Sequence, residues 1–242
     1  MRRTPHVLTS GPCDAGVMST SRLQIARAAV LAQLVFVGGW LVIGALEDHG
    51  YRPMRHDISD LAALTAHHAT PDRVTLALAG SLTIAFAFAL RHHLGNAALV
   101  LALSLPGLDN LTDTFFRLDC RAADAGCSTS DAIASWHGKA HVGIFALSAL
   151  ATIAAPFVLA RAMRRREAWV SLARPTKLFG FLTIALLVAT GATSGTAVGG
   201  LTQRIIATVV TGGVAVLAWH GARMEAGPGA GSPSWLGGET AH

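Results

Sequence analysis

The chain has 242 residues, 52% of them hydrophobic and only 14% charged, with a mean hydropathy of +0.47. That apolar share exceeds the roughly 45 to 50% of an ordinary soluble domain, and no polar stretch is long enough to fold separately, so the composition excludes a soluble protein. The net charge of +5 would raise the question of nucleic acid in a soluble chain; here the basic residues fall where membrane topology needs them, and no nucleic-acid partner is read from them.

Hydrocarbon offers backbone groups no water, so each spanning segment must satisfy its own hydrogen bonds. The fold class expected is therefore all-α: a polytopic bundle of six transmembrane helices with both termini cytoplasmic. Residues 1–24 read as a flexible tail, since Arg2 and Arg3 precede Thr, Pro, His and Ser rather than the apolar core of a signal peptide; Met18 is an alternative start. Residues 25–223 form the membrane domain, and residues 224–242, rich in Gly, Pro and Ser, a second tail.

Six stretches approach the length a span needs: 28–46, 74–90, 94–111, 140–160, 178–198 and 205–221. The third is the weakest, because Pro106 and Asp109 interrupt its outer end. With the N-terminus inside, the cytoplasmic segments carry Arg22, Arg27, Arg91, Arg161, Arg164, Arg165, Arg166, Arg174, Lys177 and Arg223, the bias expected of a multi-pass protein of the bacterial plasma (inner) membrane. The outer segments carry Glu47, Asp48, Asp57, Asp60, Asp72, Asp109, Asp113, Asp119, Asp124 and Asp131. Only the outer face combines acids, histidines and arginines, so chemistry is expected there.

The first outer loop, Tyr51 to Leu61, reads either as a solvated connection or as a short amphipathic helix with Ile58, Leu61 and Leu64 toward lipid and Asp57 or Ser59 as its cap. His56, Asp57, Ser59 and Asp60 are its candidate site residues. Asp109 and Asp113, four apart, share a helix face near the outer end of the third span. They could bind a cation, hold a proton or pair with Arg117 or Arg204, unless Asp113 already lies in the interface. Cys120 and Cys127 are seven apart in the second outer loop, where an oxidising compartment permits a disulfide contributing about 2 to 3 kcal/mol; two free thiols are the alternative, and Cys13 is taken as incidental.

His137 and His141, at the entry to the fourth span, are spaced to offer two ring nitrogens to one metal, but without the glutamate of a metalloprotease helix the pattern is weak, and interfacial hydrogen bonding explains it as well. Gln203 and Arg204 open the last span on the outer side, as ion-pair partners of the acids or as binders of an anionic headgroup. Gly191, Gly195 and Gly199 recur every four residues as a close-packing face. No cofactor is specified, and the histidines are not laid out as a transmembrane heme pair.

The run Arg55-His56-Asp57-Ile58-Ser59-Asp60-Leu61, the stretch Gly138-Lys139-Ala140-His141 and the stretch Gly200-Leu201-Thr202-Gln203-Arg204, in this order, resemble the domain-of-unknown-function 998 family of bacterial and archaeal membrane proteins over residues 28–223. The resemblance implies a six-helix membrane protein without an assigned activity, and it singles out His56, Ser59, Asp60, His141, Gln203 and Arg204. The N-terminal tail and the Cys120–Cys127 loop depart from it. A more distant likeness to Frag/DRAM-type membrane proteins, some linked to lipid remodelling, is analogy only.

Three functions stay open. One is a non-catalytic membrane component whose polar outer cluster binds a lipid headgroup or other ligand. The second is an enzyme acting on a lipid or isoprenoid headgroup, with His56 or His141 as general base or metal ligand, Asp60 or Asp109 orienting it and Arg204 holding an anion. The third is a carrier of small solutes or ions, for which no internal repeat is visible. Membrane lipids are the partners expected; oligomeric state is not legible. Convergence of the named side chains around one cavity separates the first two from a purely structural outer face.

Overall fold

The computed structural model describes residues 12–47 and 50–226. Asp48, the side chains of Cys13 and Met18, and residues 1–11 and 227–242 of the two expected tails lie outside the described residues. Helix α1 spans Pro12–Leu46, so residues 12–24 continue the first helix; α2 spans Ala69–Leu94, α3 is a single turn at Asn110–Thr112, α4 another at Thr129–Ala132, α5 spans Trp136–Met163, α6 Val170–Thr193 and α7 Gly199–Ala226. No strand occurs among the described residues. Among the described residues five helices are long and apolar enough to cross a membrane, and they display large apolar side chains outward: Leu31, Leu34, Leu41, Leu147, Leu150 and Val188 are all more than half exposed. In water such a surface would aggregate, whereas lipid tails cover it at no cost. The protein is a multi-pass membrane protein.

The helix ends follow from local chemistry. Ser135 caps α5 by accepting the Gly138 amide at 3.2 Å. At the end of α2, Gly95 adopts φ 65° and its N–H reaches the Arg91 carbonyl, the left-handed stop that a side chain would resist. Helix α6 stops before Gly195, which has φ 74°. That stop takes Gly195 and Gly199 off the α6 face, and a Cβ at Gly191 or Gly195 would meet nothing within 4 Å. Gly191 and Gly195 therefore make no close approach, whereas a Cβ at Gly199 would stand 2.7 Å from the Thr193 carbonyl oxygen; close approaches to other elements include those at Gly39, Gly80, Gly180, Gly200 and Gly213.

The third segment is not the regular helix expected over 94–111. It is a 3-10 stretch at Gly95–Leu101, a π turn at Leu105–Asp109 and the α3 turn. Ser104 is extended, with φ −76° and ψ 170°, and Pro106 brings no amide proton, so the i to i−4 ladder cannot pass through it. Other groups take over: the Ser104 hydroxyl donates to the Leu101 carbonyl at 2.6 Å, and the Leu105 amide donates to Thr152 Oγ1 of α5 at 2.8 Å. The segment still returns along α2. Leu90 and Leu101 share one apolar cluster, a Cβ on Gly80 would stand 2.5 Å from the Leu111 nitrogen, and Arg73 Nε donates to the Thr114 carbonyl at 2.9 Å.

Two apolar clusters fill the bundle. One, with Phe86, Leu90, Leu159, Met163 and Trp169, lies toward the end where Arg22 of α1 meets Glu225 of α7 at 2.8 Å and His93 of α2 meets the same carboxylate at 3.0 Å. The other, with Phe36, Trp40, Ile43, Tyr51 and Leu61, supports the opposite end, which carries the long loops.

Candidate functional site

At the loop end, residues 51–58 fold down onto the start of α7. Arg204 Nη1 donates to the carbonyls of His56 at 2.7 Å and Gly200 at 3.0 Å and to that of Pro53 at 2.5 Å, while Nη2 donates to the Tyr51 hydroxyl. The guanidinium also lies 5.4 Å from the centre of the Trp40 ring, a cation-π distance. Gln203 Oε1 accepts the Ile58 amide at 2.5 Å, and the amides of Gly200 and Leu201 reach the Arg55 and Met54 carbonyls at 3.2 and 2.9 Å. Gly200 admits this approach because a Cβ there would collide with the His56 backbone.

The pinned loop is not a lipid-facing amphipathic helix. Its 3-10 turn, Ser59–Ala62, has no side-chain cap, Ile58 and Leu61 are buried in the core, and only Leu64 is exposed. The anchored backbone turns those two side chains inward.

The turn presents His56 and Asp60 to the bundle. His56 Nδ1 accepts the Arg52 amide at 2.9 Å, so a neutral ring carries its proton on Nε2. Burial first, then the neighbouring Arg55 and Arg52, hold the imidazole below the usual histidine range. Asp60 is 2% exposed. Its Oδ1 accepts the Ala122 amide at 3.2 Å, its Oδ2 has no hydrogen-bond partner, and burial pushes its pKa up to about 7.

A second brace ties the two long loops together. Glu47 accepts the amides of His67 and His68 at 2.9 and 3.1 Å and the His68 ring at 3.1 Å, which places a carboxylate over the first turn of α2. Arg121 donates to Glu47, and to Asp124 at 2.9 and 2.6 Å. Burial alone would raise the Glu47 pKa; these hydrogen bonds and the Arg121 charge outweigh it and hold the carboxyl below the usual range. Cys120 and Cys127 face each other across this loop with Cα atoms 6.2 Å apart, within the span a disulfide bridges, and Ser128 and Asp131 cap the α4 turn reciprocally.

From the third segment come Asp109 and Asp113. His141 Nδ1 lies 2.8 Å from Asp113 Oδ1 and 3.3 Å from the Phe116 carbonyl, so Asp113 pairs with neither Arg117 nor Arg204. Asp109, 8% exposed, has Oδ1 without a hydrogen-bond partner.

These groups meet in one cavity of about 440 Å³. His56, Ser59, Asp60, Asp109, Asp113 and His141 line it, along with Gln203 and the rim residues Arg55 and Cys127. Its remaining wall is largely apolar, including Phe36, Leu76, Leu105, Phe145, Leu187 and Ile206. Of the residues expected at a site, His56, Asp57, Ser59, Asp60, Asp109, Asp113, His141 and Gln203 are brought together here. Arg204 is not among the lining residues, because the loop it anchors takes up its donors. His137 stands apart from His141, stacked against Trp136 with ring centres 3.8 Å apart, so the two histidines do not converge on one ion. Among the described residues no group of three or more His, Cys, Asp or Glu is arranged to hold a metal.

Sequence reasoning did not find the Glu47–Arg121 brace, whose members are 74 positions apart, nor the role of Tyr51. Asp72, fully buried in the first turn of α2 with neither carboxylate oxygen hydrogen-bonded, was legible only as one of the outer acids.

Comparison with curated proteins and with solved structures gave no match. The family described as protein of unknown function (DUF998) matches residues 30–220, a span that holds both braces and the described cavity. The chain belongs to the domain-of-unknown-function 998 family.

Proposed function

We propose that this protein holds a membrane amphiphile, with the polar head at the loop end of the bundle and the apolar chain between the helices. The observation that carries the reading is the character of the cavity wall: it combines the carboxylate side chains of Asp60 and Asp109, each with a buried oxygen that has no partner, with side chains that are largely apolar over the remainder. A second cavity of about 470 Å³, lined by Leu101, Leu159, Leu172, Phe179 and Leu217 among others, shares Val210 with the first. An apolar tail has room to continue there. The irregular third segment borders both cavities through Leu101, Ser104, Leu105 and Pro106, which accords with non-helical backbone at membrane depth being tolerated where it is buried in protein or faces a cavity.

The topology that fits is six crossings, the segment at 95–112 counted as one, with both termini cytoplasmic in a bacterial inner membrane. The return of that segment along α2, the Arg22–Glu225 contact and the concentration of arginine at 161–174 support it. The second loop then faces an oxidising compartment, where Cys120 and Cys127 stay bonded. A membrane-impermeant maleimide applied to intact spheroplasts is expected to label these cysteines only after reduction. Labelling without reductant would remove the bond, and labelling only after lysis would invert the topology.

Native mass spectrometry of the purified full chain tests ligand binding. One co-purifying lipid per protein is expected, and Val210→Trp, which adds bulk at the residue both cavities share, should lower its occupancy about tenfold, a loss of roughly 1.4 kcal/mol, while the protein stays folded in a thermal melt. A lipid-free wild type, or equal occupancy in the variant, would end the reading. The Asp113–His141 pair favours a second one: a carboxylate that fixes a histidine tautomer is the arrangement of a general base. An enzyme would yield a cleaved lipid from the wild type and an intact one from His141→Ala, whereas a binding protein yields the same intact lipid from both.

A further inference from the structure

The cavity's own hydrogen-bonding balance points to the chemistry of the head. The guanidinium groups best placed to meet an anion are already committed: Arg204 to three carbonyls and Tyr51, Arg121 to Glu47 and Asp124. Arg55 remains on the exposed rim. Gln203 spends its carbonyl oxygen on the Ile58 amide, and Asp113 faces His141.

The cavity keeps neutral donors, the His56 Nε2–H and the Gln203 side-chain NH2, but the buried wall atoms without a partner are carboxylate oxygens. Asp60 Oδ2 and Asp109 Oδ1 belong to side chains of the cavity wall that are more than nine-tenths buried, and neither atom has a partner. An unmatched buried acceptor is left without the hydrogen bond that would offset its desolvation. A phosphate there would add negative charge beside carboxylates, and a quaternary ammonium would bring charge without an N–H. A primary ammonium brings positive charge together with three donors.

We infer that the head this cavity receives is a primary amine, carried on an amphiphile and bound between Asp60 and Asp109. The inference rests on the amphiphile reading above and specifies the ligand class for the same site. The amine has two sources, an aminophospholipid or a simple long-chain amine, and both present the same group.

The test uses full-length protein stripped of lipid in detergent and titrated with dioleoylphosphatidylethanolamine, dioleoylphosphatidylcholine, dioleoylphosphatidylglycerol and oleylamine, with bound lipid counted by native mass spectrometry. Phosphatidylethanolamine is expected to bind about tenfold or more tighter than the choline and glycerol lipids, as one charge-assisted hydrogen bond would give. Oleylamine binding as well identifies the amine as sufficient; rejection of oleylamine, with the ethanolamine lipid still preferred, means that amine and phosphate are read together. Asp60→Asn, which keeps the oxygen that accepts Ala122 N–H, and Asp109→Asn should each shrink the preference for the ethanolamine lipid to about threefold or less while the lipids still bind.

Equal binding of all the phospholipids overturns the amine assignment and leaves the amphiphile reading standing, as does a preference for phosphatidylglycerol or an ethanolamine preference unmoved in both variants. Binding of no probe overturns both.

Discussion

Arg121→Ala is expected to give a chain that accumulates poorly in the membrane and melts about 10 °C or more below the wild type. Arg121 is 2% exposed and bridges Glu47, itself buried, to Asp124. Removing one partner of a buried pair leaves the other charge uncompensated, at a cost of about 3 to 5 kcal/mol out of a total stability of roughly 5 to 15 kcal/mol. Glu47 would keep its hydrogen bonds from His67 and His68, so its carboxylate would stay in place, without its cation. The double variant Glu47→Gln with Arg121→Met should therefore melt above Arg121→Ala alone, since the buried carboxylate is no longer charged and Asp124, partly exposed, keeps its hydrogen bonds from Thr65 and from the residue 121 amide. Fluorescence-detected size-exclusion melting curves would measure all three proteins; a loss in Arg121→Ala of no more than an exposed ion pair gives, about 1 kcal/mol, would show that the two loops hold together without this brace.

Arg204→Lys is the second large effect, because a change that keeps the charge should still release the first loop. A guanidinium reaches three carbonyls and a hydroxyl at once through a planar fork, and a lysine ammonium is a point charge on a flexible stem that cannot reproduce the set. With the carbonyls of Pro53, His56 and Gly200 left short of donors, the expected loss is about 2 to 3 kcal/mol. Hydrogen exchange should rise at amides 52–58 while the cores of α1, α2 and α7 stay protected. Any change in the ranking of lipid heads should follow the release of this loop, which carries His56 and leads into Asp60, since Arg204 itself does not line the cavity. An Arg204→Lys protein that folds with normal protection at 52–58 but loses an anionic ligand would restore the anion-binding role that its place at the start of α7 first suggested.

How well each part could be read from sequence follows from how local its causes are. Long apolar runs fixed five helices, since hydrocarbon leaves the backbone no alternative. The cluster His56, Asp60, Asp109 and His141 was legible because polar side chains at the ends of apolar segments are conspicuous. Arg204 was conspicuous for the same reason and was misread: its position says that a cation is present, while its partners are backbone carbonyls in a loop some 150 positions away, which residue identities do not encode. Ile58 and Leu61 were misplaced through the same ignorance, since only the anchored loop decides which way they turn. In the third segment, Pro106 and Asp109 signalled an interruption, but the replacement of its ladder by Thr152 depends on a helix that comes later in the chain.

That last dependence bears on how the protein is made. A segment with a proline, an aspartate and a gap in its own backbone pairing is a poor candidate to partition into the bilayer alone when it leaves the ribosome. Its Leu105 amide finds Thr152, and Asp113 finds His141, only once α5 has been synthesised. Residues 95–113 therefore have reason to wait beside α2, at the insertion machinery or in the headgroup region, until α5 emerges, so that the two segments enter as a pair. Assembly of the loop-end cavity would then be a late event in biogenesis, set by the arrival of α5 rather than by the order of the chain.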